Sequence, residues 1–105
     1  MRTVLVSQSF QDDLKTINSY WHDQLKLNSE KVKAFDLTIL QALKQAAVFP
    51  ESYPNVQALY QLDQDTRRIM IQNYGIIYRF DATNLYVGRL IYLPLDPTQL
   101  LFEKH

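Results

Sequence analysis

Hydrophobic positions in the first half of the chain recur at helical spacing, in two stretches that a few polar residues separate. The first stretch follows a short alternating strand at Thr3–Ser7, and Ser7 or Ser9 can cap it. Its apolar positions are Phe10, Leu14, Ile17, Trp21 and Leu25, and those of the second stretch are Val32, Phe35, Ile39, Leu43 and Ala46. This spacing predicts two amphipathic helices. Pro50 ends the second, and the short link between them predicts an antiparallel helical hairpin.

The second half of the chain is dense in β-branched and aromatic residues, which suit a pleated, half-buried surface. Short polar interruptions divide it into three predicted strands, at Arg67–Gln72, Gly75–Phe80 and Leu85–Leu93. Asn73-Tyr74-Gly75 and residues 81–84 supply tight turns between them. Residues 51–65 are a connecting loop, with a brief extended piece expected at Ala58–Leu62.

The predicted order is β-α-α-β-β-β, which is typical of an α+β fold with a helical hairpin packed on one face of a small, mostly antiparallel sheet. Residues 1–105 form one domain. Strict alternation on the last strand places Val87 and Ile91 on the face opposite Leu90. The second face of the sheet is expected to be open, or covered in part by a partner or by the apolar tail at Leu100–Phe102. Tyr20 lies off the core stripe and is expected to be exposed.

Composition adds few chemical possibilities. The chain has 47% hydrophobic and 21% charged residues, no cysteine and a formal net charge of zero. The lack of cysteine excludes disulfides and thiolate metal sites, and the balanced charge does not favour a dedicated nucleic-acid binder. No glycine-rich phosphate loop occurs, and His22 and His105 lie far apart. We therefore expect no metal and no cofactor, assign no catalytic residue, and expect a soluble cytoplasmic protein without a membrane segment.

Arginines in the strand-rich half are the candidate chemistry. Arg67 and Arg68 begin one predicted strand, Arg79 lies at the end of the next, and Arg89 lies within the last. Adjacent strands could gather these guanidinium groups on one patch, with tyrosines, Tyr92 among them, between them. Such a patch suits an RNA backbone or a transition-state phosphate, and it suits an acidic protein partner equally well. The alternative is a solvated face with structural tyrosines.

Four segments, in order along nearly the whole chain, resemble the RelE/ParE superfamily, the toxins of bacterial type II toxin–antitoxin pairs. They are SFQDDLKTI in the first helix, FPESYP after the second, RRIMIQNYGIIYRFD across the first predicted hairpin, and LYVGRLIYLPLDP in the last strand. In this resemblance, Arg89 corresponds to the arginine that ParE-like members carry in the last strand.

Two departures from the superfamily pattern bear on activity. RNA-cleaving members usually carry an arginine directly after the turn, where this chain has Gly75. They also carry histidine, tyrosine, lysine or arginine near the end of the last strand, where this chain has Leu93, Pro94 and Leu95. Without the general base and the phosphate-stabilising groups, the resemblance implies the ParE side, whose members inhibit DNA gyrase.

The resemblance thus implies a growth-inhibiting toxin that acts on gyrase and is neutralised by a cognate antitoxin, through which it forms oligomers. Arg67, Arg68, Arg79, Arg89 and Tyr92 are the predicted target-binding residues. Two alternatives remain: a ribosome-dependent mRNA interferase of the RelE type, and an inactive module that only binds antitoxin.

Overall fold

The computed structural model describes residues 1–23 and 29–93, and its elements follow the predicted order. They are β1 (Thr3–Val6), α1 (Gln8–Asp23), α2 (Ser29–Val48), a 3-10 turn (Pro50–Ser52), β2 (Arg67–Ile71), β3 (Tyr74–Phe80) and β4 (Asn84–Tyr92). The α+β prediction is confirmed. Leu25 and the apolar tail fall outside the described residues, so the expectations about them stay predictions.

Ser7 marks the boundary between β1 and α1. Its hydroxyl accepts a hydrogen bond from the Phe10 N–H at 3.0 Å and donates one to the Gly88 carbonyl at 2.7 Å. The first contact is an N-cap, which satisfies a backbone donor that the first helical turn leaves unpaired. Ser7, not Ser9, is therefore the cap, and β1 ends one residue before the predicted strand end.

The four strands lie in the order β1-β4-β3-β2. β1 runs parallel to β4, and the other two pairings are antiparallel, so the sheet is mixed but mostly antiparallel. The helices pack on one face, called here the helix face. The main core lies there and comprises Phe10, Trp21, Phe35, Ile39, Leu43, Ala46, Ile69, Ile71, Tyr74, Ile76, Tyr78, Leu85, Val87 and Leu90.

A register shift interrupts the pairing of β3 with β4. Ile77 pairs with Arg89, but the next residue, Tyr78, pairs with Val87, which leaves Gly88 as an extra residue. Because of this bulge, Val87 and Leu90 both lie in the core on the helix face. The strict alternation predicted for the last strand, with Val87 opposite Leu90, is therefore wrong.

The second face of the sheet, called here the outer face, is half covered by the chain itself. Val56 and Tyr60 pack with Ile77 and Ile91 in a separate small core. The segment that carries them is a series of turns, and Gln61 has a left-handed φ of 57°. The extended piece predicted at Ala58–Leu62 is therefore wrong.

The remaining half of the outer face, around Leu5 and Tyr86, stays exposed. These two residues pair in register across β1 and β4, so their side chains lie side by side. Neither helix of the described part has both the length and the apolar character that crossing a membrane requires.

Candidate functional site

Arg67 begins β2 on the helix face, because it pairs with the core residue Tyr78. Its guanidinium group binds the Asp65 carboxylate through Nε at 2.9 Å and Nη2 at 3.2 Å, and it also donates to the Tyr53 carbonyl at 2.9 Å. The hydrogen bond to Asp65 raises the pKa of Arg67. The side chain therefore joins the end of the connecting loop to β2 and has little surface left for a ligand.

Arg68 lies on the outer face, across from Ile77. Its Nη1 donates to the Tyr60 hydroxyl at 2.8 Å, and its guanidinium carbon lies 5.9 Å from the centre of the Tyr60 ring. The aliphatic stem crosses over Gly75, where a Cβ would come within 3.3 Å of the Arg68 Cγ and Cδ atoms and within 3.0 Å of Leu93 Cδ1. Glycine at position 75 thus provides the space that the Arg68 stem occupies.

Arg79 lies on the same face as Arg68, near the end of β3. Its Nε donates to the Thr66 hydroxyl at 2.9 Å, and its Nη2 lies 3.2 Å from an Asp63 carboxylate oxygen. The Asp63 side chain is 83% exposed and that of Arg79 is 37% exposed. Such an exposed ion pair contributes little stability and exchanges readily with solvent. Arg79 is therefore accessible to an anionic partner.

Arg89 is bound at the edge of β4, where α1 lies beside the sheet. Its Nε and Nη2 donate to the two Asp13 oxygens at 2.8 and 3.0 Å, and the Leu90 N–H donates to the same carboxylate at 3.0 Å. The Asp13 hydrogen bond raises the pKa of Arg89. β1 pairs with β4 only as far as Val87. The Asp13 carboxylate therefore takes the place of a strand partner just beyond that point.

The four arginines do not all share one surface. Arg67 lies on the helix face, whereas Arg68, Arg79 and Arg89 leave the sheet on the outer face, since Arg68 and Arg89 both pair with Ile77 and Arg79 lies two residues further along β3. Asp13 of α1 then holds the Arg89 guanidinium at the edge of β4. The predicted common patch is therefore wrong for Arg67. The sequence pattern could not show how the other three are oriented, because their partners are not adjacent in the chain.

Tyr92 lies in a different region, at the far end of the sheet. It pairs with Tyr74 at the start of β3, whereas Arg79 is five residues further along, roughly 17 Å away at the usual rise of a strand. The Tyr92 side chain is 42% exposed, and its ring centre lies 5.5 Å from that of Tyr74. Tyr92 is therefore too far away to assist Arg79 at a single small ligand.

Tyr92 lines a cleft of about 650 Å³ between the helices and the β2–β3 turn. Inside it the Trp21 indole N–H donates to the Tyr74 hydroxyl at 3.1 Å, and the Phe35 ring lies 4.4 Å from that of Trp21, centre to centre. The described residues around it are Tyr20, Trp21, Lys31, Ala34, Phe35, Thr38, Gln72, Asn73, Tyr74 and Tyr92. Tyr20 is exposed and Trp21 is buried, as predicted.

Sequence reasoning missed this aromatic cleft as a unit. The available signal is that aromatic residues occur at the end of α1, at the start of β3 and at the end of β4. These three ends meet only because α1 follows β4 toward that end of the sheet, from Ser7 at Gly88, past Asp13 at Arg89, to Trp21 at Tyr74. Chemically, the cleft can accept a flat ring or an apolar side chain. The arginines hold fixed positive charge and donate hydrogen bonds, so both regions are suited to binding rather than to proton transfer.

A comparison with protein-family models finds a match to the ParE toxin of the type II toxin–antitoxin system parDE, over residues 4–92. That range runs from the second residue of β1 to the last residue of β4. A search of curated proteins finds no match. Because the match covers most of the chain, the chain belongs to the ParE toxin family of type II toxin–antitoxin systems.

Proposed function

We propose that this toxin arrests bacterial growth by inhibiting DNA gyrase in the cytoplasm, and that a cognate antitoxin holds it inactive in a hetero-oligomer. The family match over residues 4–92 carries the proposal, since a toxin of this class has an antitoxin as its partner. The gyrase target follows the ParE side of the superfamily.

The geometry around Gly75 favours a protein target over RNA cleavage. An arginine at this position would place its Cβ 3.0 Å from Leu93 Cδ1 and against the Arg68 stem. The nearest guanidinium, that of Arg68, is already bonded to the Tyr60 hydroxyl. A phosphate-cleaving site needs preorganised cations directed at the reacting group, and Arg68 is directed at Tyr60 instead.

Target contact is proposed for the predicted set of Arg67, Arg68, Arg79, Arg89 and Tyr92, with different emphasis within it. Arg79 and Tyr92 present the more accessible side chains, so their removal is the first test of recognition. All four arginines join parts of the fold, Arg79 through its hydrogen bond to the buried Thr66 hydroxyl. Arginine variants therefore need a measurement of stability beside any measurement of toxicity.

The test is inducible expression of the chain, with and without any small open reading frame that lies beside its gene. We expect loss of plasmid supercoiling, double-strand breaks and an SOS response, with intact mRNA, and rescue by the neighbouring protein. Purified toxin should inhibit supercoiling by purified gyrase. Arg79→Ala and Tyr92→Ala should weaken inhibition by about tenfold each, which corresponds to roughly 1.4 kcal/mol of lost binding.

Each of the other outcomes identifies an alternative. Ribosome-dependent mRNA cleavage with normal supercoiling would replace the gyrase proposal with an mRNA interferase. Normal growth, together with a stable complex with the neighbouring protein, would indicate an inactive antitoxin-binding module. Gln41→Ala on the exposed side of α2 is a matched control, because it removes an exposed polar side chain outside the proposed contact set.

A further inference from the structure

A small pocket of about 220 Å³ lies on the outer face of the sheet, beside Arg79. Most of its lining is apolar, and the residues around it include Leu62, Thr66, Ile77, Tyr86 and Gly88. Pockets that hold drug-sized ligands usually have volumes of about 300 Å³ or more. The space therefore suits a single side chain of another protein. We call it the outer pocket.

The bulge at Gly88 keeps the outer pocket open, because this position has no side chain. A Cβ at Gly88 would meet only the Ile77 carbonyl oxygen, at 3.6 Å, and the φ of Gly88 is not positive. Neither a close neighbour nor the backbone conformation therefore requires glycine here, although glycine weakens a strand. What glycine provides at this position is free space beside Arg79.

Arg79 supplies a cation at the rim of the outer pocket. One edge of its guanidinium group is fixed, because Nε donates to the hydroxyl of the buried Thr66. The other edge meets only the Asp63 carboxylate, whose side chain is 83% exposed. Such an exposed ion pair is weak. The carboxylate of a partner could therefore replace Asp63 and use the same guanidinium edge.

Apolar surface continues from the outer pocket toward β1. Tyr86 pairs with Arg79 across β3 and β4, and with Leu5 across β4 and β1. Tyr86 is 41% exposed and Leu5 is 44% exposed. Adjacent strands are about 4.8 Å apart, so the positions of Arg79 and Leu5 lie roughly 10 Å apart. A partner on this face therefore meets a cation, an aromatic ring and an aliphatic side chain in a row.

Asp81, a second carboxylate near Tyr86, is occupied within its own turn. It accepts hydrogen bonds from the Tyr86 hydroxyl at 2.7 Å and from the Thr83 and Asn84 N–H groups at 2.9 and 2.8 Å. Breaking this set of contacts would cost more than releasing the exposed Asp63. Asp63 is therefore the carboxylate that a partner has to replace.

We propose that the outer pocket receives one leucine-like side chain of the target protein, and that a carboxylate next to it on the target replaces Asp63 at Arg79. A glutamate and a leucine four positions later on a helix form such a pair, about 5–6 Å apart. The inference deepens the proposed function, on which the identity of the target as gyrase rests. Asp63 is then a built-in competitor of the target.

A nucleic-acid backbone is the competing occupant, and the surroundings of Arg79 argue against it. Binding to phosphates depends on several cations that act together. The outer pocket is instead mostly apolar, two carboxylates lie beside it, and the chain has a formal net charge of zero. A protein segment with one carboxylate and one aliphatic side chain matches both the charge and the apolar lining.

The first experiment titrates the whole protein, labelled with nitrogen-15, with a synthetic helical peptide followed by NMR. The peptide has about 20 residues, since shorter helices are marginal in water, and it carries a glutamate and a leucine four positions later. We expect shifts of the Thr66, Tyr86 and Gly88 amide signals. Matched peptides with glutamine for the glutamate, or alanine for the leucine, should bind at least about tenfold more weakly. These comparisons leave the protein itself unchanged.

Protein variants test each part of the site. Arg79→Ala should weaken binding about tenfold and remove the difference between the glutamate and glutamine peptides. Asp63→Ala should instead tighten binding about two- to fivefold, because the competitor that it removes is weak. Gly88→Val narrows the pocket and should weaken binding about tenfold. Asp23→Ala, which removes a carboxylate that is 67% exposed on α1, is the matched control for net charge and should leave the affinity unchanged.

Four results would overturn the proposal. They are no binding of the glutamate peptide to the wild-type protein, equal binding of the glutamate and glutamine peptides, weaker binding to Asp63→Ala, and binding of duplex DNA at Arg79 without binding of the peptide. Circular dichroism and the melting temperature establish which variants are folded. If a variant is unstable, the three peptides on the wild-type protein decide the question alone.

A second experiment separates this proposal from the proposed function. Purified gyrase is assayed for supercoiling with wild-type toxin, Asp63→Ala and Gly88→Val. We expect Asp63→Ala to inhibit at about two- to fivefold lower concentration and Gly88→Val to need about tenfold more. Inhibition that neither variant changes overturns the outer pocket as the contact with gyrase and leaves the toxin proposal intact. A wild-type chain that never inhibits gyrase refutes the proposed target, and the peptide comparison still decides what the pocket binds.

Discussion

The contact between Asp13 and Arg89 makes a strong prediction, because one carboxylate there joins α1 to the end of the sheet. Replacing Arg89 by alanine removes two charge-assisted hydrogen bonds and leaves Asp13, whose side chain is only 17% exposed, with the Leu90 N–H alone. A hydrogen bond to a charged group contributes about 1.5–3 kcal/mol. Arg89 is itself 38% exposed, so water compensates for part of the loss.

We therefore expect Arg89→Ala to lower the free energy of unfolding by about 2 kcal/mol, which corresponds to a fall in melting temperature of roughly 8–15 °C in a chain of this size. Asp13→Asn should cost about 1–2 kcal/mol, because the amide keeps an oxygen for the Leu90 N–H but loses its charge. Since both changes break the same contact, the double variant should be less destabilised than the sum, with a coupling free energy of about 1–2 kcal/mol.

The assay is urea unfolding followed by far-ultraviolet circular dichroism, with all four members of the cycle at one pH and salt concentration. Asp63→Ala is the matched control: it removes only the exposed ion pair with Arg79, which should be worth less than about 1 kcal/mol. A coupling free energy near zero between positions 13 and 89, or a loss at Asp63 as large as that at Arg89, would refute the reasoning. In that case, Asp13 would not hold the Arg89 side chain, and Arg89 would be as accessible for target binding as Arg79.

Two further predictions concern tyrosine hydroxyls. Tyr78 is buried and donates to the Pro50 carbonyl at 2.6 Å, and burial raises its pKa, so Tyr78→Phe should cost about 1–2 kcal/mol by leaving that carbonyl unpaired. Urea unfolding of Tyr78→Phe and of the control variant Tyr53→Phe checks this prediction, because the Tyr53 ring is in edge contact with that of Tyr78. Equal losses in the free energy of unfolding at the two positions would contradict it. Tyr86 donates to Asp81 at 2.7 Å and, with the Thr83 and Asn84 N–H groups, lowers the Asp81 pKa to about 2. Because the folded pKa lies below the unfolded one, this contribution to stability is present above about pH 4 and is lost as the pH falls through about 2. Tyr86→Phe should move the Asp81 pKa upward in a carboxyl carbon-13 titration, and an unmoved pKa would show that the backbone donors alone hold it down.

The sequence predicted the elements well because their signals are local. Phe35, Ile39 and Leu43 recur at helical spacing, and they form the buried side of α2. The turns between β2, β3 and β4 were also predicted from neighbouring residues, but the first was placed too late. It lies at Gln72 and Asn73, with Gln72 at a left-handed φ of 55°, and Tyr74 and Gly75 already belong to β3. The resemblance to the superfamily depended on the same segments, and the family match now spans them.

The candidate site was predicted less well, because its geometry depends on distant residues. Arg89 was expected on a shared patch, but its partner is 76 positions away in the sequence. Arg68 is bound by Tyr60, which lies in a loop that forms turns instead of the predicted extended piece. Only Arg67 has its carboxylate close by in the sequence, at Asp65. For Arg68, Arg79 and Arg89, the adjacent residues do not identify the side chain that binds the guanidinium group.

By itself, then, the sequence determined the two helices, the strands, their order and the family, because periodicity and turn chemistry act over a few residues. Only the tertiary structure decided which partner each arginine binds, that β1 lies parallel beside β4, and that the bulge at Gly88 turns Val87 into the core. These features follow from packing the helical hairpin on one face of the sheet and the 56–62 segment on the other. That packing brings together groups whose separation along the chain leaves no local pattern.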